Sequence, residues 1–253
     1  MNAFKADLRR AFQSFSFLLS VLIAFGVLFR PLLSNWLAWG FRGVSANAME
    51  LLSEPLALSS FTPFAVLFCV LPYSISFCED VNSGYIRPIV ARIGVKRYIR
   101  NRIISVICSG ALAIGLPFAI IVILCVVGAT QPITLDTINW LSPVWASLAE
   151  NMNGTWMYVV RIMLAMAFGA AWATFGLCVS TLISNRYVTL IAPFVIYQAL
   201  WALLPESKWN PLYQLRADFQ GIPSLWFSFA YQGIAICALA SVSAWRIRRR
   251  LLR

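Results

Sequence analysis

Long apolar segments alternate with shorter polar connections along the whole chain. An α-helix rises 1.5 Å per residue, so about twenty apolar residues cross a hydrocarbon core of roughly 30 Å. The pattern therefore predicts an all-α integral membrane protein, a single transmembrane domain over residues 1–253 with six transmembrane helices. The predicted spans are residues 12–29, 61–78, 103–127, 161–183, 187–204 and 224–245.

Three of these segments have features that refine the prediction. Arg30 and Pro31 follow the first segment where a signal peptide would have a small-residue cleavage site, so we expect a retained span. Pro72 predicts a kink in the second segment, either a packing bend or a functional hinge. The fourth segment carries small residues that let another helix approach closely in lipid. They are Ala165, Gly169, Ala173 and Gly176.

The composition agrees with a membrane protein and argues against a nucleic-acid-binding domain. Hydrophobic residues make up 60% of the chain and charged residues 11%, against about 25% charged in soluble domains. The formal net charge is +11. Basic residues flank the apolar segments instead of forming a patch on a soluble fold, so we expect membrane lipids and no nucleic acid as partners.

The distribution of Lys and Arg predicts the orientation. Fifteen of the twenty lie before the first span, in the connections 79–102 and 184–186, and after the last span, whereas the connections 30–60, 128–160 and 205–223 together carry four. Lys and Arg accumulate on the cytoplasmic side of membrane proteins. We therefore expect both termini and the two basic connections in the cytoplasm.

Several kinds of chemistry are missing from the sequence. The chain has no histidine and no GxxxxGK[ST] phosphate-binding loop, and its six cysteines lie in or beside apolar segments without CxxC spacing. We therefore expect neither an enzyme nor a metal site. Any nucleotide that drives the protein must be bound by another polypeptide.

The connection 79–102 is the longest basic stretch between two spans, and it predicts an amphipathic helix lying along the membrane. Its basic positions recur at helical spacings, with Ile89 and Ile93 available for an apolar face. Such a helix binds anionic lipid headgroups or provides a docking surface for a cytoplasmic motor, and the two interpretations are compatible.

The order of features here resembles the coupling region of type-2 ABC transporter permeases, the six-helix membrane subunits of bacterial ABC exporters. An acidic residue, Glu79, follows the second span, and Gly84 precedes an apolar and basic segment containing Tyr98. Pro88 departs from the uninterrupted apolar run typical of that segment. By this resemblance the candidate coupling residues are Glu79, Asp80, Gly84, Arg87, Arg92, Lys96, Arg97 and Tyr98.

The resemblance implies a permease subunit in the bacterial cytoplasmic membrane. It implies a second permease subunit, identical or not, and cytoplasmic ABC ATPase subunits that hold the ATP and Mg²⁺. Eight of the ten tryptophans lie at or beyond the predicted outer ends of the spans. This aromatic excess suits export of an amphipathic peptide, a lipid or a hydrophobic drug. The alternative is a non-transporting scaffold or sensor that recruits partners through its basic cytoplasmic surface.

A transport cavity has four candidate residues: Tyr197, Gln198, Gln232 and Arg161. The glutamines could instead hydrogen-bond neighbouring helices, and the arginine could extend to the membrane interface. No acidic residue is predicted within the membrane, which argues against proton coupling. The proline-rich stretch 205–223 predicts a broken helix that caps the cavity from the outer leaflet.

Overall fold

The computed structural model describes residues 3–41, 47–58, 61–131, 144–145, 155–217 and 222–251, which form helices and no strand. Five helices within this described part of the chain are long and apolar enough to cross a membrane, which confirms an all-α, multi-pass membrane protein. In chain order the helices are α1 (Ala3–Phe12), α2 (Phe15–Trp39), α3 (Ala48–Leu58), α4 (Phe61–Val70), α5 (Ser76–Asn82), α6 (Ile86–Ile93), α7 (Val95–Gly128), α8 (Thr155–Leu182), α9 (Arg186–Leu203), α10 (Pro211–Arg216) and α11 (Leu225–Leu251).

The first long helix extends further than the apolar pattern indicates. Helix α2 includes Arg30 and Pro31, which the sequence pattern placed after the span. Its start is defined by Ser14, whose hydroxyl accepts a hydrogen bond from the backbone N–H of Phe17 at 3.1 Å. A serine in this position satisfies one of the free N–H groups at a helix start.

The second apolar segment is interrupted in the middle. Helix α4 ends at Val70, and a turn over residues 71–75 separates it from α5. Pro72 cannot donate a hydrogen bond to the carbonyl of Phe68, four residues earlier. The hydroxyl of Ser20 on α2 donates to that carbonyl instead, at 2.5 Å. A neighbouring helix thus satisfies the group that the proline leaves free, as membrane interiors require.

The basic connection is divided between two helices. Helix α6 covers only Ile86–Ile93, and Gly94, with φ of +80°, separates it from α7. Lys96, Arg97 and Arg102 therefore lie on the first turns of a long spanning helix. The single membrane-lying helix predicted over this connection is limited to its first half, because a left-handed backbone at Gly94 redirects the chain.

Helix α8 is central and packs against α4, α7, α9 and α11. Its closest approach is to α7, where a Cβ atom on Gly169 would collide with the backbone carbonyl of Gly110. Gly176 faces a different neighbour, since a Cβ there would lie 2.7 Å from Val70 Cγ1. The small-residue stripe thus contacts two helices, with Ala165 and Ala173 also buried.

The connections 30–60, 128–160 and 205–223 are each described only in part. Residues 132–143 and 146–154, within the connection 128–160, lie outside the described residues, as do residues 42–46, 59–60 and 218–221. At the same end of the bundle, the indole N–H of Trp145 donates to the carbonyl of Arg216 at 3.3 Å. Helix α10, part of the proline-rich stretch, packs against α4, α8 and α9.

Candidate functional site

Helix α6 has an inner apolar face and an outer polar face. Ile86 is buried, and Ile89, Val90 and Ile93 pack with it against a cluster that includes Phe77, Tyr98 and Ile247. These positions recur three and four residues apart, which places them on one side of a helix. Arg87 and Arg92 are exposed on the other side.

The apolar face of α6 is therefore occupied by the protein itself. A helix that binds membranes by insertion places its apolar face among the lipid chains. In α6 the corresponding face packs against α7 and the surrounding cluster. The basic face remains available to a partner or to lipid headgroups.

Two glycines delimit this helix. Gly84 precedes α6 with φ of +71°, and Gly94 follows it with φ of +80°. Residues with a Cβ rarely adopt this left-handed conformation, so glycine allows the chain to turn sharply at both places. Gly84 was a candidate from the sequence, whereas the role of Gly94 was missed although the residue interrupts the apolar and basic run.

Directly behind α6 lies a buried cluster of charged and phenolic groups. Asp80 on α5 is 1% exposed and forms an ion pair with Arg102 on α7, which is fully buried. The Tyr98 hydroxyl donates to Asp80 Oδ2 at 3.3 Å and accepts from Arg102 Nη2 at 3.2 Å. Two of the predicted coupling residues, Asp80 and Tyr98, thus lie in the interior and not on the docking surface.

A third helix joins the cluster from the N-terminal side. Arg10 on α1 donates to Asp80 Oδ1 at 2.9 Å, and its side chain is 49% exposed. The guanidinium of Arg102 lies 5.0 Å from the ring centre of Tyr73, whose hydroxyl is 3.5 Å from Asp7. Asp80 therefore links α1, α5 and α7, which are distant in sequence.

The sequence did not indicate this network. Arg10 and Arg102 were interpreted only as charges that define the membrane orientation, and Asp80 as a candidate coupling residue. The available signal is the spacing of Tyr98 and Arg102, because residues four apart in a helix lie on one face. It becomes visible only when α7 is known to begin before Tyr98, at Val95.

The basic segments of the chain meet at one end of the bundle. The side chain of Asn82 donates to the carbonyl of Ser184 at 3.1 Å, in the short connection between α8 and α9. Arg250 near the end of α11 donates to the Ser184 hydroxyl at 2.6 Å. Together with the Arg10 to Asp80 pair, these bonds bring the four basic regions to the same side.

The exposed part of the candidate docking surface is a subset of the predicted residues. Glu79 lies on α5, and the basic side chains belong to α6 and to the first turn of α7. The exposed residues are Glu79, Gly84, Arg87, Arg92, Lys96 and Arg97.

The four candidate cavity residues do not share one cavity. The Tyr197 hydroxyl donates to the carbonyl of Thr62 at 3.0 Å, and the Gln198 amide to that of Pro63 at 3.1 Å. These bonds join α9 to α4. Arg161 is buried, with its guanidinium 4.6 Å from the ring centre of Trp145. Of these four residues, only Gln232 lines the cavity between α8, α9 and α11.

That cavity lies between α8, α9 and α11 and has a volume of about 170 Å³. Helix α8 packs extensively against both α9 and α11, which do not pack extensively against each other. Gln214 of α10 also lines it, and was not among the sequence candidates. The remaining lining residues are Phe168, Ala171, Trp172, Phe175, Ile196, Leu200, Pro211, Tyr231, Ala235 and Leu239.

Compared with known proteins, the chain matches no protein-family model, no curated protein and no solved structure.

Proposed function

We propose that this chain is the membrane subunit of an ATP-driven transporter of the type-2 ABC permease class. The observation that carries the proposal is the basic, outward face of α6, whose apolar face is already packed against the bundle. Such a helix is suited to contact a soluble protein. The cargo that we propose is an amphipathic peptide, a lipid or a hydrophobic drug.

The proposed topology has six crossings with both termini in the cytoplasm of a bacterial cell. Helices α4 and α5 together form the second crossing, broken at the turn near Pro72. The convergence of the basic segments at one end supports the orientation, because Lys and Arg accumulate on the cytoplasmic side. The membrane is then the bacterial cytoplasmic membrane.

In this proposal, cytoplasmic ATPase subunits hold the ATP and Mg²⁺ and push on α6. Helix α6 follows α5 directly, and Asp80 on α5 is paired with Arg102 on α7 and Arg10 on α1. Movement of α6 is therefore transmitted to α1, α5 and α7 together, as expected of rigid-body switching. A second permease subunit completes the transporter.

Charge reversal on the exposed face tests the docking surface. In the variant Arg92→Glu/Lys96→Glu/Arg97→Glu, we expect at least about tenfold less ATPase to remain bound, because complementary charges guide and stabilise such contacts. The measurement is purification of the tagged chain in mild detergent, with quantitative mass spectrometry of the bound proteins. The amount of chain in the membrane is expected to be unchanged.

The matched control reverses three exposed arginines at the same end, in Arg246→Glu/Arg248→Glu/Arg249→Glu. It changes the net charge equally but lies on α11, so we expect ATPase binding to persist. Equal binding by both variants would contradict docking at α6. Repeated absence of any ATPase from the intact wild-type protein would favour the scaffold or sensor function instead.

A further inference from the structure

The cavity between α8, α9 and α11 contains two buried amide side chains in a wall that is otherwise mostly aromatic and aliphatic. Gln214 and Gln232 are 1% and 2% exposed, respectively. The wall around them is made of aromatic and aliphatic groups, including Phe168, Trp172 and Leu200. Buried amides are normally satisfied by hydrogen bonds, so each of their atoms has to be accounted for.

The nitrogen atoms of both amides donate hydrogen bonds to backbone carbonyls. Gln214 Nε2 donates to the carbonyl of Lys208 at 2.6 Å, and Gln232 Nε2 donates to the carbonyl of Gln214 at 2.8 Å. A carbonyl oxygen only accepts hydrogen bonds. Each amide must therefore point its nitrogen to the backbone, which determines the position of its oxygen.

The two oxygen atoms have no donor within the described part of the chain. Oε1 of Gln214 and Oε1 of Gln232 are both buried, and neither has a hydrogen-bond partner there. An unpaired buried polar atom is unfavourable by about 1–3 kcal/mol. Two such acceptors beside one cavity indicate that a hydrogen-bond donor enters from outside the chain.

We propose that this cavity binds a small amphipathic alcohol, with an aromatic or short aliphatic body and a hydroxyl group that donates to one of the two glutamine oxygens. The volume of about 170 Å³ is close to the roughly 150 Å³ of a cavity known to hold one benzene ring. No Asp or Glu is among the residues that line this cavity, so no carboxylate there offsets the desolvation of a cationic head. The site does not depend on an ATPase partner and goes beyond the proposed function.

Binding of a matched pair of fluorinated probes tests the proposal. 4-Fluorobenzyl alcohol carries the donor, and 4-fluorobenzyl methyl ether has the same ring without it. We expect ¹⁹F NMR titration of the full chain in detergent, with empty micelles as the blank, to show saturable binding of the alcohol. The ether should bind about tenfold more weakly because it cannot donate to either oxygen.

Three variants of the chain locate the site. Gln232→Met removes one acceptor and should weaken alcohol binding by about tenfold, while Ala235→Phe fills the cavity and should abolish it without altering either amide. Gln198→Met is the control, because its amide makes a similar bond to the backbone of α4 outside this cavity. It should leave the affinity unchanged.

Two results would overturn the proposal. Equal affinity for the alcohol and the ether would mean that the cavity is only an apolar space. Alcohol binding that survives Ala235→Phe, or that never exceeds partition into empty micelles, would place no alcohol in this cavity. The Ala235→Phe variant and the probe pair remain decisive even where Gln232→Met fails to fold.

Discussion

Helix α7 is joined to its neighbours in two different ways at two levels. Near its start, Arg102 is held by the carboxylate of Asp80 in a buried ion pair. About two turns later, Gly110 meets Gly169 of α8 with the backbones in direct contact. The first contact depends on charge and the second on the absence of side chains.

The two contacts therefore contribute to the fold in different ways. A buried ion pair adds little net stability, since desolvation offsets the attraction, but it strongly disfavours any arrangement that leaves one charge alone. Small residues in lipid allow close van der Waals packing, which is a main source of helix association there. The charged contact therefore selects which helices meet, and the glycine contact determines how closely.

Replacement of Asp80, the acidic partner of Arg102, should have the largest effect on stability. We expect Asp80→Ala to lower the free energy of unfolding by about 3–5 kcal/mol, because Arg102 is then buried without a counter-charge. The measurement is unfolding by SDS titration of the detergent-solubilised chain. The double variant Asp80→Ala/Arg102→Met should recover most of this loss, and a single-variant loss below about 1 kcal/mol would disprove the role of the pair.

Addition of one methyl group at Gly169, where α8 contacts α7, should have the next largest effect on stability. Gly169→Ala places a Cβ against the carbonyl of Gly110, a backbone atom that cannot rotate away. We expect a loss of about 1–3 kcal/mol in the same unfolding measurement. Gly233→Ala on α11 is the control, because a Cβ there meets nothing within 4 Å. If both variants behave alike, the close approach is not important for stability.

Replacement of Arg10, the half-exposed partner of Asp80, should have the smallest effect on stability. Arg10 is half exposed, so its attraction to Asp80 is weakened by water. We expect Arg10→Gln to cost at most about 1 kcal/mol, and to cost nothing measurable in high salt, where exposed charges are screened. Thermal unfolding at low and high NaCl concentration measures this. A loss as large as that of Asp80→Ala would show that Arg10 is the main partner of the carboxylate.

The spanning helices were predictable because a lipid environment imposes a simple requirement on sequence. The helices α7, α8, α9 and α11 contain the predicted spans 103–127, 161–183, 187–204 and 224–245 to within a residue at their apolar ends. Backbone groups inside the membrane must be paired, and a helix pairs them within a single segment, so long apolar segments become helices. The break near Pro72 was foreseen as a kink, but the hydroxyl of Ser20 that permits it was not.

The candidate site was predictable only at its surface. Arg87 and Arg92 are exposed on α6 as expected, because charge and helical spacing are local properties of the sequence. Asp80 and Tyr98 could not be placed in the same way. Whether an acid is exposed or paired depends on residues 18, 22 and 70 positions away along the chain, which is a matter of tertiary contact.

The sequence by itself determined the membrane-spanning helices and the concentration of basic residues in four segments. Only the tertiary structure decided that these segments meet at one end, that Asp80 is buried between Arg10 and Arg102, and that Gln214 and Gln232 line one cavity. Helix formation in lipid depends on the hydropathy of consecutive residues, whereas these contacts depend on which helices become neighbours.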